Sequence, residues 1–171
     1  MKILSLYTGG GGIDLGFKKN KFKTVLAIEN WDIACKTLIN NKISSEVICD
    51  DVRNINFDSL KKKYKFDCIV GGPPCPPFSK SRFYLKNKKR ALEDEDSHTI
   101  ANYFLAVEKF KPKIFFFENV HGFIFKPHEA ALHYFEKQSD KLGYKITHKI
   151  VNCADYGVPQ IRQRFICVGF K

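Results

Sequence analysis

The chain has 171 residues, enough for one domain with a real core. Its 29 Lys and Arg against 18 Asp and Glu give a formal net charge of +11, which favours a polyanionic partner, nucleic acid first. No apolar run approaches membrane length, the apolar part of MKILSLYTGGGG is too short for a signal peptide, and the six cysteines include no Cys-x-x-Cys pair, so a membrane protein, a secreted protein and a zinc site are all disfavoured and reduced, cytoplasmic thiols are expected.

KILSLY (2–7) reads as a buried strand that stops at four glycines, and 13–20 follows as a helix. KTVLAIE (23–29) is a second strand, 31–40 a second helix and SEVICD (45–50) a short third strand. FDCIVGG (66–72) and KIFFFENV (113–120) are the fourth and fifth strands, with a helix over 98–110 between them. A helix around 128–142 precedes two closing strands, 144–152 and 164–170. This alternation predicts an α/β fold: a doubly wound, mostly parallel seven-stranded sheet with helices on both faces. The last two strands follow one another without a helix, so at least one is expected to be antiparallel. Residues 79–97 carry a basic half and an acidic half with little apolar periodicity and read as a mobile loop.

LYTGGGGIDLG (6–16) places glycines between the first strand and the first helix, where a ligand can approach the backbone closely. The dinucleotide spacing fits badly because Ile13 breaks it, so a nucleotide phosphate is not indicated. Glu29 ends the second strand, where a carboxylate can accept from both hydroxyls of a ribose. Trp31 can pack against an adenine, and Asp51, after the third strand, can accept from its amino group. Capping, core packing and turn formation are the ordinary roles of such residues. Three successive strand ends with this chemistry suit an adenosine cofactor without phosphates, of which S-adenosyl-L-methionine is the common one.

GGPPCPPFS (71–79) resembles the Pro-Cys motif of the cytosine-5 DNA methyltransferases. FFENV (116–120) is similar to their Glu-Asn-Val motif, and QIRQR (160–164) to their Gln-x-Arg-x-Arg motif. LYTGGGG, IENWD (28–32) and DDV (50–52) resemble the family's first three cofactor motifs, in order. The resemblance covers almost the whole chain and implies a Rossmann-like methyltransferase fold. It implies a cofactor site drawn from Tyr7, Thr8, Gly9, Gly11, Gly12, Glu29, Asn30, Trp31, Asp51, Val52, Gly72 and Pro74, and no metal. It also implies a reaction. Carbon 5 of cytosine is a poor nucleophile until a thiolate adds to carbon 6, and Cys75 is the expected thiolate. Glu118 is expected to protonate or hydrogen-bond nitrogen 3, with Asn119 holding the strand-end loops. Arg164 is expected to grip the cytosine carbonyl oxygen and Arg162 to orient the loop or support Cys75, although either could be a phosphate contact. The target base must leave the duplex stack, and the 79–97 loop is the element expected to close over it. The family often carries Gln where this chain has Pro76.

Family members continue past the Gln-x-Arg-x-Arg strand into a target-recognition region and a final motif that completes the cofactor pocket, whereas this sequence stops at Lys171. The expectation is a single catalytic domain that works on double-stranded DNA as one subunit of a split restriction-modification enzyme, the partner supplying the missing parts. A truncated, inactive DNA-binding or scaffold remnant, an expressed fragment and an RNA cytosine-5 methyltransferase are the alternatives.

Overall fold

The computed structural model describes residues 1–74, 98–126 and 129–171. Cys75 and the whole 79–97 segment, expected to be a loop, lie outside the described residues. Seven strands form one sheet: β1 (Lys2–Leu6), β2 (Lys23–Glu29), β3 (Glu46–Cys49), β4 (Cys68–Gly71), β5 (Ile114–Val120), β6 (Lys145–Asn152) and β7 (Gln163–Phe170). Their spatial order is β3-β2-β1-β4-β5-β7-β6. The first five are mutually parallel, and β7 runs antiparallel to both neighbours. The expected antiparallel strand is therefore the last one, wedged between β5 and β6.

Helices α1 (Gly12–Lys18) and α2 (Asp32–Asn40) cover one face; α3 (Phe57–Lys63), α4 (His98–Phe110) and α5 (Glu129–Lys141) cover the other. Strands β1 and β4 are covered on both sides, which is why they read as unbroken apolar runs. The larger core is aromatic. Tyr103, Phe104, Phe115, Phe117, Phe123, Phe135 and Phe165 interlock, mostly edge to face, between β5, β7 and the helices. This stack fixes β7 against β5: Phe115 pairs with Gly169, and a Cβ on Gly169 would stand 2.1 Å from the Phe115 ring. Gly71 similarly makes room for Tyr103, whose hydroxyl donates to the Phe116 carbonyl at 2.9 Å.

Two features depart from the sequence reading. Helix α3 lies in a stretch read without an element; its entry is capped by the Asn56 side chain, which accepts from the Ser59 N–H at 3.0 Å. Cys35 of α2 and Cys49 at the end of β3 are joined as a disulfide, with Cα atoms 5.9 Å apart, where reduced thiols were expected. Packing of α2 against β3 brings the two together across 14 residues of chain. No helix among the described residues is long and apolar enough to cross a membrane.

Candidate functional site

The strand order reverses between β1 and β4: β2 and β3 lie to one side, β5 to the other. In an open α/β sheet this switch point leaves a crevice at the carboxyl ends of the strands. A cleft lies there, lined by Tyr7, Ile28, Glu29, Asn30, Asp51, Val52, Arg53, Gly72, Pro74 and Thr99. Seven of the twelve residues expected at a cofactor site thus line one cleft.

The turn after β1 is shaped for close backbone approach. Tyr7 takes a left-handed φ of 54°, and its hydroxyl donates to the Thr99 carbonyl at 2.8 Å. That bond ties the end of β1 to the first turn of α4. Thr8 donates its hydroxyl to the carbonyls of Ser5 and Ile28 at 3.2 and 3.3 Å, so it braces the turn and does not line the cleft. Gly11 has φ 83° and caps α1, and a Cβ there would meet Leu38 and Ile43 within 2.9 Å. Only glycine satisfies both demands. Gly9 and Gly12 stand around the turn without lining the cleft.

Glu29 holds this turn to the next one. Its Oε2 accepts from the Gly9 N–H at 2.7 Å, and its Oε1 accepts from the N–H groups of Asn30 and Trp31 at 3.1 and 3.0 Å. A carboxylate offers about four lone-pair sites, so roughly one remains for a ligand hydroxyl. Reception of both ribose hydroxyls therefore requires shared acceptance. Trp31 contributes its backbone N–H to this knot while its side chain stays largely in solvent, at 62% exposure.

Asp51 follows β3 and is clamped by a residue the sequence reading missed. Arg53 donates its backbone N–H and Nε to Asp51 Oδ1 at 2.8 and 3.0 Å, and a terminal nitrogen to Oδ2 at 2.8 Å. These hydrogen bonds hold the Asp51 carboxyl below the usual carboxylate range. The two-residue spacing across a 3-10 turn is the signal that could have found Arg53.

Glu118, on β5, stands against Gly72, just past the end of β4. A Cβ on Gly72 would stand 2.9 Å from Glu118 Oε2, so the glycine admits the acid. On its other side Arg164 Nε lies 2.9 Å from Oε1. The β5–β7 register sets this up by pairing Val120 with Arg164. Burial raises the Glu118 carboxyl above its ordinary value, and the positive charges of Arg164 and Arg162 only partly offset it. Arg162 acts at longer range, with its backbone N–H bound to Asn152 Oδ1 at 3.0 Å. Asn119 is 2% exposed; its Oδ1 accepts from the Val120 N–H at 2.8 Å, and its Nδ2 is a buried side-chain nitrogen without a partner among the described residues. Burial pushes the thiols of Cys68 and Cys167 up to about 12, so neither is a thiolate at neutral pH. No cluster of His, Cys, Asp and Glu among the described residues could hold a metal.

Comparison with known proteins agrees with this geometry. A family described as C-5 cytosine-specific DNA methylase matches residues 1–171. The Type II methyltransferase M.FnuDI of Fusobacterium nucleatum is 34% identical over the whole chain, which spans 47% of that relative. M.AquIA of Picosynechococcus is 31% identical; 98% of this chain matches 71% of it. A crystal structure of a prophage-encoded E. coli protein, described as a DNA modification methyltransferase, superposes with a TM-score of 0.83 at 26% identity, over all of this chain and 47% of that one. A Spodoptera frugiperda DNMT2 structure shares the fold, with a TM-score of 0.78 at 21% identity. The chain spans about half the length of most curated relatives it matches.

Proposed function

The chain belongs to the C-5 cytosine-specific DNA methylase family, and from that premise we propose that residues 1–171 transfer a methyl group from S-adenosyl-L-methionine to carbon 5 of cytosine in double-stranded DNA. The observation that carries this reading is Glu118, a carboxyl held above its ordinary range against Gly72, three residues before Cys75.

The cleft's donor set suits the cofactor. Glu29 and Asp51 are acceptors, and among the described residues the one cation lining the cleft, Arg53, is clamped to Asp51 and no cluster of lysines awaits a phosphate. Glu29 receives a ribose hydroxyl, Tyr7, Ile28 and Val52 supply apolar wall, and the Gly72 backbone permits close approach. When bound, S-adenosylmethionine supplies an electrophilic methyl group. Cys75 adds as a thiolate to carbon 6 of a flipped cytosine, breaking the 5,6 double bond. Glu118 gives a proton or hydrogen bond to nitrogen 3, so electron density collects at carbon 5 as the bond to sulfur forms. After methylation, water or hydroxide takes the carbon 5 proton, and the freed electron pair restores the 5,6 double bond as the bond from carbon 6 to sulfur breaks and the Cys75 thiolate leaves. Arg164 holds the Glu118 carboxyl in place and grips the carbonyl oxygen of the base, while Arg162 supports the site electrostatically. Asn119 braces the strand-end loops.

Target recognition is supplied by a second subunit of a cytoplasmic restriction-modification enzyme. The match to 71% of M.AquIA, against 47% of M.FnuDI, supports a family arrangement in which a shorter chain carries the catalytic portion. The test is incubation of the chain, with its partner and cofactor, with duplex DNA and with RNA that contain 5-fluorocytosine. The expected result is a covalent adduct with DNA at Cys75 that disappears in Cys75→Ser. An adduct with RNA alone would transfer the reading to RNA, and adducts with neither would end it.

A further inference from the structure

Among the described residues, a row of lysines lies on the side of the sheet away from the cleft. At the opposite edge of the sheet, where the parallel strands begin, Lys23 of β2 pairs in register with Lys2 of β1. The Asp67 N–H bonds to the Lys2 carbonyl, the Lys113 N–H to the Asp67 carbonyl, and the Lys171 N–H to the Lys113 carbonyl. Lys145 begins β6 opposite Phe170. The row therefore crosses six neighbouring strands as Lys23, Lys2, Asp67, Lys113, Lys171 and Lys145. All five lysines are exposed, and among the described residues no carboxylate lies within ion-pair distance of them; the one acid in the row, Asp67, accepts from the Lys2 backbone N–H at 2.8 Å. Helix dipoles do not account for these lysines. Lys18, Lys109 and Lys141 already occupy the last turns of α1, α4 and α5, whereas the row stands on strand ends.

We propose that this edge is a second, sequence-independent binding surface for the backbone of double-stranded DNA. Strands are spaced by about 4.8 Å, so six of them span ~24 Å, the length of ~7 base pairs at 3.4 Å each. A line of five exposed lysines, interrupted by the single carboxylate of Asp67 and with the Lys171 ammonium lying over the Tyr144 ring, matches a line of phosphates, and lysine, a compact charge without a planar fork, gives no base readout. Exposed apolar residues at the edge are sparse, chiefly Met1 and Phe170, which argues against insertion into a lipid surface. A contact on the side away from the cleft lets one molecule hold a duplex segment while its rim engages another, and this raises the effective concentration of substrate at the rim.

The probe is a duplex of about 20 A·T pairs. It contains no cytosine, so the base-flipping site has no target. Affinity is measured by fluorescence anisotropy between about 50 and 200 mM salt. In Lys2→Gln/Lys113→Gln/Lys145→Gln, the slope of log affinity against log salt flattens by about 3, close to one per lysine removed. Cofactor binding is unchanged. In the unaltered chain, the duplex protects Lys2, Lys113 and Lys145 from reductive methylation read by mass spectrometry, which requires no variant to fold. The proposal is overturned if the triple variant keeps the original slope. It is equally overturned if binding vanishes only in Arg162→Gln/Arg164→Gln, or if polyglutamate or anionic vesicles protect the same lysines as well as the duplex does. None of these results bears on the Cys75 adduct.

Discussion

Replacement of Glu29 by alanine should unlatch two turns at once. Both oxygens of a side chain in a residue only 8% exposed accept three backbone N–H groups, from Gly9, Asn30 and Trp31. Hydrogen bonds to a charged acceptor contribute about 1.5–3 kcal/mol each, but Asn30 and Trp31 are exposed and water can replace their acceptor. The Gly9 bond at nearly full value, and the other two heavily discounted, give a loss of about 3 kcal/mol. For a domain of this size each kcal/mol lowers Tm by about 2–4 °C, so calorimetry without cofactor should show a fall of roughly 6–12 °C. Glu29→Gln keeps one acceptor oxygen but turns an amide NH2 toward the remaining N–H groups, and should lose about half as much. Equilibrium dialysis should show S-adenosylmethionine affinity reduced in both variants. An alanine variant that melts within about 2 °C of the parent would refute the latch and leave Glu29 with a ligand role only.

Gly169→Ala places a methyl group into the Phe115 ring and should destabilise the chain by about 1–3 kcal/mol, read by urea unfolding; an unchanged midpoint would mean that the β5–β7 register slips freely. Tyr7→Phe removes the hydroxyl bond to Thr99 and should cost about 1 kcal/mol, with cofactor affinity reduced because the turn is freed from α4. The pH dependence of transfer follows from Glu118: with a folded carboxyl raised by burial, the protonated form persists above the ordinary glutamate range. The rate should therefore fall as pH rises through that raised value, and Glu118→Gln should abolish this limb.

The strands were legible because their burial on both faces demands unbroken apolar runs, as in KILSL and CIVG. Helix α3 was not, because it is only seven residues long and just Phe57 is fully buried; its stripe is Phe57 and Leu60 with Tyr64 at the cap, too short to stand out as a helical period beside the Asn56 cap. The rim's acids were legible from their place at strand ends. Their partners were not. Arg53 reaches Asp51 through a 3-10 turn, and the approach of Gly72 to Glu118 depends on the β4–β5 pairing of Gly71 with Phe117, which no local pattern encodes. The Cys35–Cys49 pair is hidden for the same reason, since only the packing of α2 on β3 joins them.

Asp51 and Glu118 are both strand-end carboxylates beside an arginine, yet they are driven in opposite directions. At Asp51 the Arg53 hydrogen bonds outweigh burial and the acid stays anionic; at Glu118 burial outweighs Arg164 and Arg162 and the acid tends to keep its proton. Two acids set apart by their surroundings can take different tasks: in the proposed reaction Asp51 is the acceptor and Glu118 the donor. The division is testable at Arg164, because the guanidinium is what restrains the Glu118 carboxyl. Arg164→Gln removes the ion pair at 2.9 Å while burial remains, so the carboxyl should titrate at still higher pH and the alkaline limb of the rate profile should move with it. Carbon-13 NMR of labelled glutamate reads the same shift without turnover. A downward shift would mean that Arg164 shields Glu118 from water more than it attracts its charge, and the proton would then have to come from another group.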